Sequence, residues 1–141
     1  IHEGLDSSIT LLNRSFQNRI NVCKKYGELP EIICYPGKLN QVFLNILQNA
    51  SNAIDNTGTI EVKTFKENGR IHVDITDDGR GISKQQLKEL FEFKFASTSE
   101  RIKMSSGLSS AYNIIQKHDG EIKIDSQLGK GTTVSITLPI K

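Results

Sequence analysis

The feature that most constrains this chain is a run of alternating residues that stops on a carboxylate. Ile71, Val73 and Ile75 alternate with Arg70, His72, Asp74 and Thr76, as in a β-strand with one face buried. The strand delivers Asp77 to its end, and Asp77-Asp78-Gly79-Arg80-Gly81-Ile82 follows. Two glycines one residue apart allow positive φ and a close approach of the backbone to a ligand, which side chains at those positions would obstruct. An isolated Asp-Gly marks a turn and nothing more. A second, independent oddity upstream gives this one chemical weight.

Residues 38–56 read as one long helix with two unlike faces. Leu39, Phe43, Ile46, Leu47, Ala50, Ala53 and Ile54 form the apolar side. Opposite them Gln41, Asn45, Gln48, Asn49, Asn52 and Asn56 form a stripe in which every residue is an uncharged amide. A merely solvated face would carry Lys and Glu, which form helix more readily than Asn and add i,i+4 pairs. An Asn-rich solvated face and a ligand-facing one both remain open on this pattern alone, and the repeated propensity cost favours the ligand.

The rest of the chain supplies a frame for these two stretches. Residues 5–16 place Leu5, Ile9, Leu12 and Phe16 at helical spacing with Asp6 as a cap. Residues 19–26 and 31–35, divided by Gly27 and Pro30, read as short strands. Ile60, Val62 and Thr64 alternate in a strand that turns at Asn68-Gly69 into the one ending at Asp77. Ser83 with Gln86 three residues on is a capping-box pattern that predicts a helix over 84–90. Residues 96–106 are small and polar and predict a loop. From Gly107 a helix runs to His118, with Leu108, Ala111, Tyr112 and Ile115 inward and Gly120 beyond its end. His118 reads as a favourable charge at that C-terminus. Ile122 and Ile124 then pair with Val134, Ile136 and Leu138 across a turn at Leu128-Gly129-Lys130-Gly131. Alternation in three strands leaves one sheet face covered and the other polar. The predicted fold is a two-layer α/β sandwich, a mixed and mostly antiparallel sheet with helices on one face.

Composition then excludes whole classes of function. A chain of 141 residues, 36% hydrophobic and 24% charged, suits one globular domain over 1–141. The net charge of +2 is spread without a basic block, so neither a nucleic-acid nor a membrane surface is indicated. No apolar run approaches the ~20 residues of a membrane span, and no signal peptide opens the sequence. Cys23 and Cys34 lack metal-ligand spacing and lie in strand-like segments, which predicts reduced thiols in a cytoplasmic compartment. Two common phosphate cradles are also excluded. Lys84 stands where a dinucleotide fingerprint needs Gly, and Gly129-Lys130-Gly131-Thr132 lacks the Gly-Lys-Ser/Thr of a P-loop.

Taken together, these stretches resemble the ATP-binding catalytic domain of sensor histidine kinases. Asn45-Ile46-Leu47-Gln48-Asn49-Ala50-Ser51-Asn52-Ala53 is similar to its N box and Asp77-Asp78-Gly79-Arg80-Gly81-Ile82 to its G1 box. Phe91-Glu92 resembles the start of the F box, Gly107-Leu108-Ser109 the end of the G2 box, and Gly131-Thr132 the terminal Gly-Thr element. The elements occur in family order over nearly the whole chain, on the fold often called Bergerat. The resemblance implies that Asp77 accepts a hydrogen bond from the adenine amino group, that Thr132 supports it through water, and that Gly79 and Gly81 let the base lie on the backbone. It implies Asn49 as a Mg²⁺ ligand, Asn45 and Asn52 toward the phosphates, 95–107 as a lid, and Ile82, Gly107 and Leu108 as further nucleotide-binding residues. Mg²⁺ held mainly by phosphate and water needs only one or two protein oxygens, and a neutral amide does not repel a triphosphate. A helix starting at Gly107 would present free N–H groups to phosphate.

The sequence departs from the family pattern in the lid. Its G2 glycines fall on Lys103, Ser105 and Gly107, so one survives, and the F box has Phe93 and Lys94 where Pro and an aromatic are usual. The phosphoacceptor and dimerisation helices of such kinases are absent, and His2, His72 and His118 are not placed to replace them. The implied activity is transfer of the ATP γ-phosphoryl group to a histidine on a separate dimerisation domain of the same protein. A response regulator is then an indirect partner, and ATP or ADP the direct one. A nucleotide-binding module without transfer, or a serine-phosphorylating relative, are the alternatives.

Overall fold

The computed structural model describes residues 1–16, 19–32, 34–81 and 108–140. The chain begins with α1 (His2–Phe16), β1 (Ile20–Tyr26) and α2 (Pro36–Ala53). It continues with the hairpin β2 (Gly58–Glu67) and β3 (Arg70–Asp77), then α3 (Leu108–Lys117) and a second hairpin, β4 (Glu121–Gln127) and β5 (Gly131–Pro139). The five strands form one sheet in the order β1-β2-β3-β5-β4. Among the described residues only β1 and β2 run parallel, as a crossover through α2 requires. The architecture is the mixed, mostly antiparallel two-layer sandwich that alternation predicts.

One sheet face carries the core. Val62, Val73, Ile75, Ile136 and Leu138 point toward the helices and are buried with Leu5, Phe43, Ile46, Leu47 and Ile115. α2 packs against both α1 and α3. Its approach to α1 is close enough for the buried Ser8 hydroxyl, which donates to the Gly4 carbonyl at 2.9 Å, to reach the Asn40 carbonyl at 3.4 Å. The opposite sheet face is polar. There His72 stacks on Phe65 at 4.7 Å between ring centres, and Lys25 pairs with Glu61 at 2.9 Å. The β2–β3 turn is the Asn68-Gly69 one, both residues at positive φ of 54° and 72°, the geometry that lets a two-residue hairpin follow the strand twist.

Several local expectations are corrected. Residues 31, 32, 34 and 35 form no strand. Ile32 and Cys34 instead pack their side chains against the core, and the Tyr35 N–H that a ladder would use is taken by His118 Nε2 at 3.1 Å. That bond requires an unprotonated Nε2, while Nδ1 lies 2.8 Å from the Ile114 carbonyl and must donate to it. His118 therefore clasps the Tyr35 backbone to the end of α3. α2 spans 36–53 instead of 38–56, because Pro36 opens its first turn and Arg19 closes its last. The Arg19 guanidinium donates to the carbonyl of Ile54 at 2.8 Å and of Ser51 at 3.4 Å, so Asn56 falls outside the helix. α1 starts at His2, which leaves Asp6 inside the helix where it caps nothing. Asp6 accepts from Lys24 at 2.8 Å and from the Tyr26 hydroxyl at 2.9 Å. His2 is stacked 4.2 Å from the Tyr26 ring and lies 2.7 Å from Thr64 Oγ1. Cys23 is exposed on β1 and Cys34 lies outside any strand; both are free thiols. The predicted helix over 84–90 and loop over 96–106 lie outside the described residues.

Candidate functional site

The core-facing floor of the sheet changes chemistry at one end. Register aligns Val73 with Ile136 and Ile122, then Ile75 with Val134 and Ile124, rows that are wholly apolar. The next row is Asp77, Thr132 and Ser126. Asp77 and Thr132 are only 6% and 8% exposed, while Ser126 is half-buried. Burial pushes the Asp77 carboxyl above its ordinary pKa; the Gly79 N–H opposes this, the neighbouring Asp78 charge adds to it, and the Thr132 N–H opposes it again. Asp77 Oδ1 takes the Gly79 N–H at 2.8 Å. Two N–H groups against roughly four lone-pair sites leave a carboxylate with acceptor capacity to spare.

The adjacent Asp78 faces elsewhere and does different work. Its carboxylate accepts from the Thr59 N–H at 2.8 Å and its own N–H reaches the Thr59 carbonyl at 3.3 Å, tying the end of β3 to β2. The pair of aspartates thus divides into one that fixes the strand end and one that is buried in the inward row of the sheet.

The glycines answer first to the protein's own backbone. A Cβ on Gly79 would run into the Ala53 carbonyl, which accepts from the Arg80 N–H at 2.9 Å. Gly81 has φ of 74° and Gly131 φ of 117°; a Cβ there would strike the Gln127 and the Asp77 carbonyl oxygens, respectively. The Arg80 carbonyl in turn accepts from the Gly129 N–H at 2.7 Å. The turn after Asp77 is therefore wedged between the end of α2 and the β4–β5 turn. Arg80 adds an exposed pair with Asp55 at 2.8 Å.

This wedge brings together Asp77, Gly79, Gly81 and Thr132 of the residues singled out from the sequence. Asp77 and Thr132 are direct cross-strand partners. Asn45, Asn49 and Asn52 lie along α2 at i, i+4 and i+7; Asn45 and Asn49 are half-buried and Asn52 is exposed, one residue before the carbonyl that seats Gly79. Leu108 opens α3. Ile82 and Gly107, like the lid positions 95–107, lie outside the described residues. A cavity of about 180 Å³ opens at this end of the sheet, lined by Thr76, Asp125 and Thr133 of the outer face as well as by Asp77, Ser126, Gly131 and Thr132. Ser126 was not singled out from the sequence. Its signal was there: it follows Ile122 and Ile124 in phase, so it is a polar residue at an inward position.

Residues 34–141 match the family described as histidine kinase-, DNA gyrase B- and HSP90-like ATPase. The chain belongs to this family. It is 43% identical over 116 residues to sporulation kinase E of Bacillus subtilis, covering 81% of this chain and 15% of that protein. It is 40% identical over 144 residues to the sensor histidine kinase ZraS of Salmonella typhimurium, covering 99% of this chain and 30% of that one. Among solved structures, a mycobacterial sensor histidine kinase, MprB, superposes with a TM-score of 0.78 at 26% identity, over 99% of this chain and 94% of that one. The chain is thus an ATP-binding catalytic domain of the histidine kinase type. It spans between 15% and 30% of the length of these two curated relatives. Among the described residues no helix is long and apolar enough to cross a membrane.

Proposed function

We propose that the Asp77 row is the base-recognition floor of an ATP site, and that the domain passes the γ-phosphoryl group of ATP to a histidine on a dimerisation domain elsewhere in the same protein. The observation that carries this reading is the buried carboxylate at the end of β3, in the inward row of the sheet with acceptor capacity unspent. The exocyclic amine of adenine is a neutral donor that can use that capacity without adding charge. Guanine would turn a carbonyl oxygen toward it, acceptor against acceptor, and leaving such groups unpaired costs roughly 1 to 3 kcal/mol. Thr132 supports the same contact through water, and Gly79 and Gly81 keep the base platform free of side chains.

Mg²⁺ fits this site as a cation that takes most of its oxygens from phosphate and water. Among the described residues no three His, Cys, Asp or Glu side chains gather into a cage. The amide stripe of α2 offers neutral oxygens instead, with Asn49 the proposed ligand and Asn45 and Asn52 toward the phosphates. When bound, Mg²⁺ supplies charge neutralisation for the leaving diphosphate. Leu108 opens the helix that follows the proposed lid positions 95–107, which with Ile82 and Gly107 lie outside the described residues. The phosphoryl group leaves its bridging oxygen for an imidazole nitrogen and ADP departs. A response regulator receives the group later, and the reaction belongs on the cytoplasmic side, where ATP is.

Calorimetry should give an ATP affinity at least tenfold above that for GTP. Asn49→Leu should fold but lose the gain in ATP affinity on adding Mg²⁺. With γ-labelled ATP, an acid-labile, base-stable phosphate should appear on the added dimerisation segment and not on this chain. Equal ATP and GTP binding would refute base recognition, and ATP binding without label on either piece would leave a nucleotide-binding module.

A further inference from the structure

We propose that Ser126 is a positioning residue that fixes the hydrogen-bond polarity of Thr132 and so helps the site choose a 6-amino over a 6-oxo purine. This rests on the reading of the Asp77 row as the base floor. Ser126 stands beside Thr132 in the register of β4 and β5, on the inward face. Its hydroxyl lies 2.9 Å from the Gly131 carbonyl, which can only accept, so the single Ser126 proton is spent there. The Ser126 oxygen is also 2.7 Å from Thr132 Oγ1. With the Ser126 proton committed, that bond is made by the Thr132 hydroxyl donating to Ser126. Thr132 Oγ1 therefore keeps lone pairs, and no hydrogen, for whatever meets the inward row that it forms with Asp77.

The floor thus offers two acceptors side by side, a carboxylate and an oriented hydroxyl oxygen. An exocyclic amine carries two N–H hydrogens and can serve both, directly or through water. A 6-oxo purine offers an acceptor and a single ring N–H, so one floor group stays unpaired. A rotatable threonine would soften that mismatch by turning its proton toward the oxo group, and the bond to Ser126 prevents the turn. Gly131 takes part twice. Its carbonyl holds the Ser126 proton, and its positive φ seats it against the Asp77 carbonyl.

The test compares ATP with inosine triphosphate, which differs at the 6-position without the extra 2-amino group of GTP. Calorimetry gives the affinity ratio, with melting temperatures recorded for each variant. Wild type should prefer ATP, and Ser126→Ala should lower the preference about five- to tenfold, mostly by improving binding of inosine triphosphate. Ser126→Thr, which keeps the oxygen, should retain the wild-type ratio. In a Thr132→Val background, Ser126→Ala should leave the ratio unchanged. A Ser126→Ala protein that loses affinity for both nucleotides equally, or keeps the wild-type ratio, would overturn the role of Ser126, as would a Ser126→Thr protein that behaves like the alanine variant. Wild type that binds both nucleotides alike would instead defeat the base-floor reading beneath it.

Discussion

Asp6 on α1 and Asp77 at the end of β3 are held in contrary ways. Asp6 is half-exposed and served by Lys24 and the Tyr26 hydroxyl, which hold its carboxyl below the ordinary range. The same contact, together with burial, holds the Tyr26 phenol well above its own. Asp77 is buried, and desolvation raises its carboxyl despite two backbone N–H groups. The first arrangement is what stability selects: a charge with partners, joining α1 to an edge strand. The second costs stability in the free protein, because water has been removed and not fully replaced. A fold retains such a group where a ligand completes it, so the unfavourable carboxylate marks the site.

The sharpest way to break this contrast is to disturb the backbone that frames Asp77. Gly131→Ala places a Cβ against the Asp77 carbonyl at a φ of 117°. It should cost roughly 2 kcal/mol or more in chemical denaturation, and any folded protein should bind ATP poorly. A variant as stable as wild type would mean that the wedge around Asp77 is looser than described.

The pH dependence of the two groups should have opposite signs. Asp77 has a folded pKa above the unfolded value of 3.8. Its contribution to stability is full below the unfolded pKa and is lost as pH rises through the folded one. Asp6 has a folded pKa below 3.8. Its contribution is full above the unfolded pKa and is lost as pH falls through the folded one. Melting temperatures across pH 3 to 7 for Asp6→Asn and Asp77→Asn, each subtracted from wild type, should therefore slope in opposite directions. Parallel slopes would erase the distinction. The smallest effect belongs to Asp6 itself at neutral pH, where solvent screens the pair. Asp6→Asn should cost under about 1 kcal/mol and leave ATP affinity unchanged.

What could be read from the sequence was what depends on local pattern. The alternation of Ile71, Val73 and Ile75, the Asn68-Gly69 turn and the amide stripe each state their own geometry within a few residues. The features that escaped depend on a distant partner. The end of α2 is set by Arg19, the irregular path before Tyr35 by His118, and the role of Asp6 by Lys24 and Tyr26. None of these contacts leaves a periodic trace. At the site, Asp77 was visible because a strand ended on it and two glycines followed. Ser126 was not, because a lone serine in strand phase becomes meaningful only when the register sets it beside Thr132. The reason for the glycines was half legible: a tight approach was evident, but not that the approaching groups include the Ala53, Gln127 and Asp77 carbonyls.

The most direct test replaces one atom. In Asp77→Asn the amide oxygen can keep the Gly79 N–H, which turns its NH₂ toward the cavity, so a donor faces the adenine amine where an acceptor stood. Calorimetric titration with ATP and Mg²⁺ should show binding by wild type and a loss of about 100-fold or more in the variant, which should melt no lower than wild type without nucleotide. An Asp77→Asn protein that binds ATP as wild type does would contradict the assignment of Asp77 as the group that recognises the base.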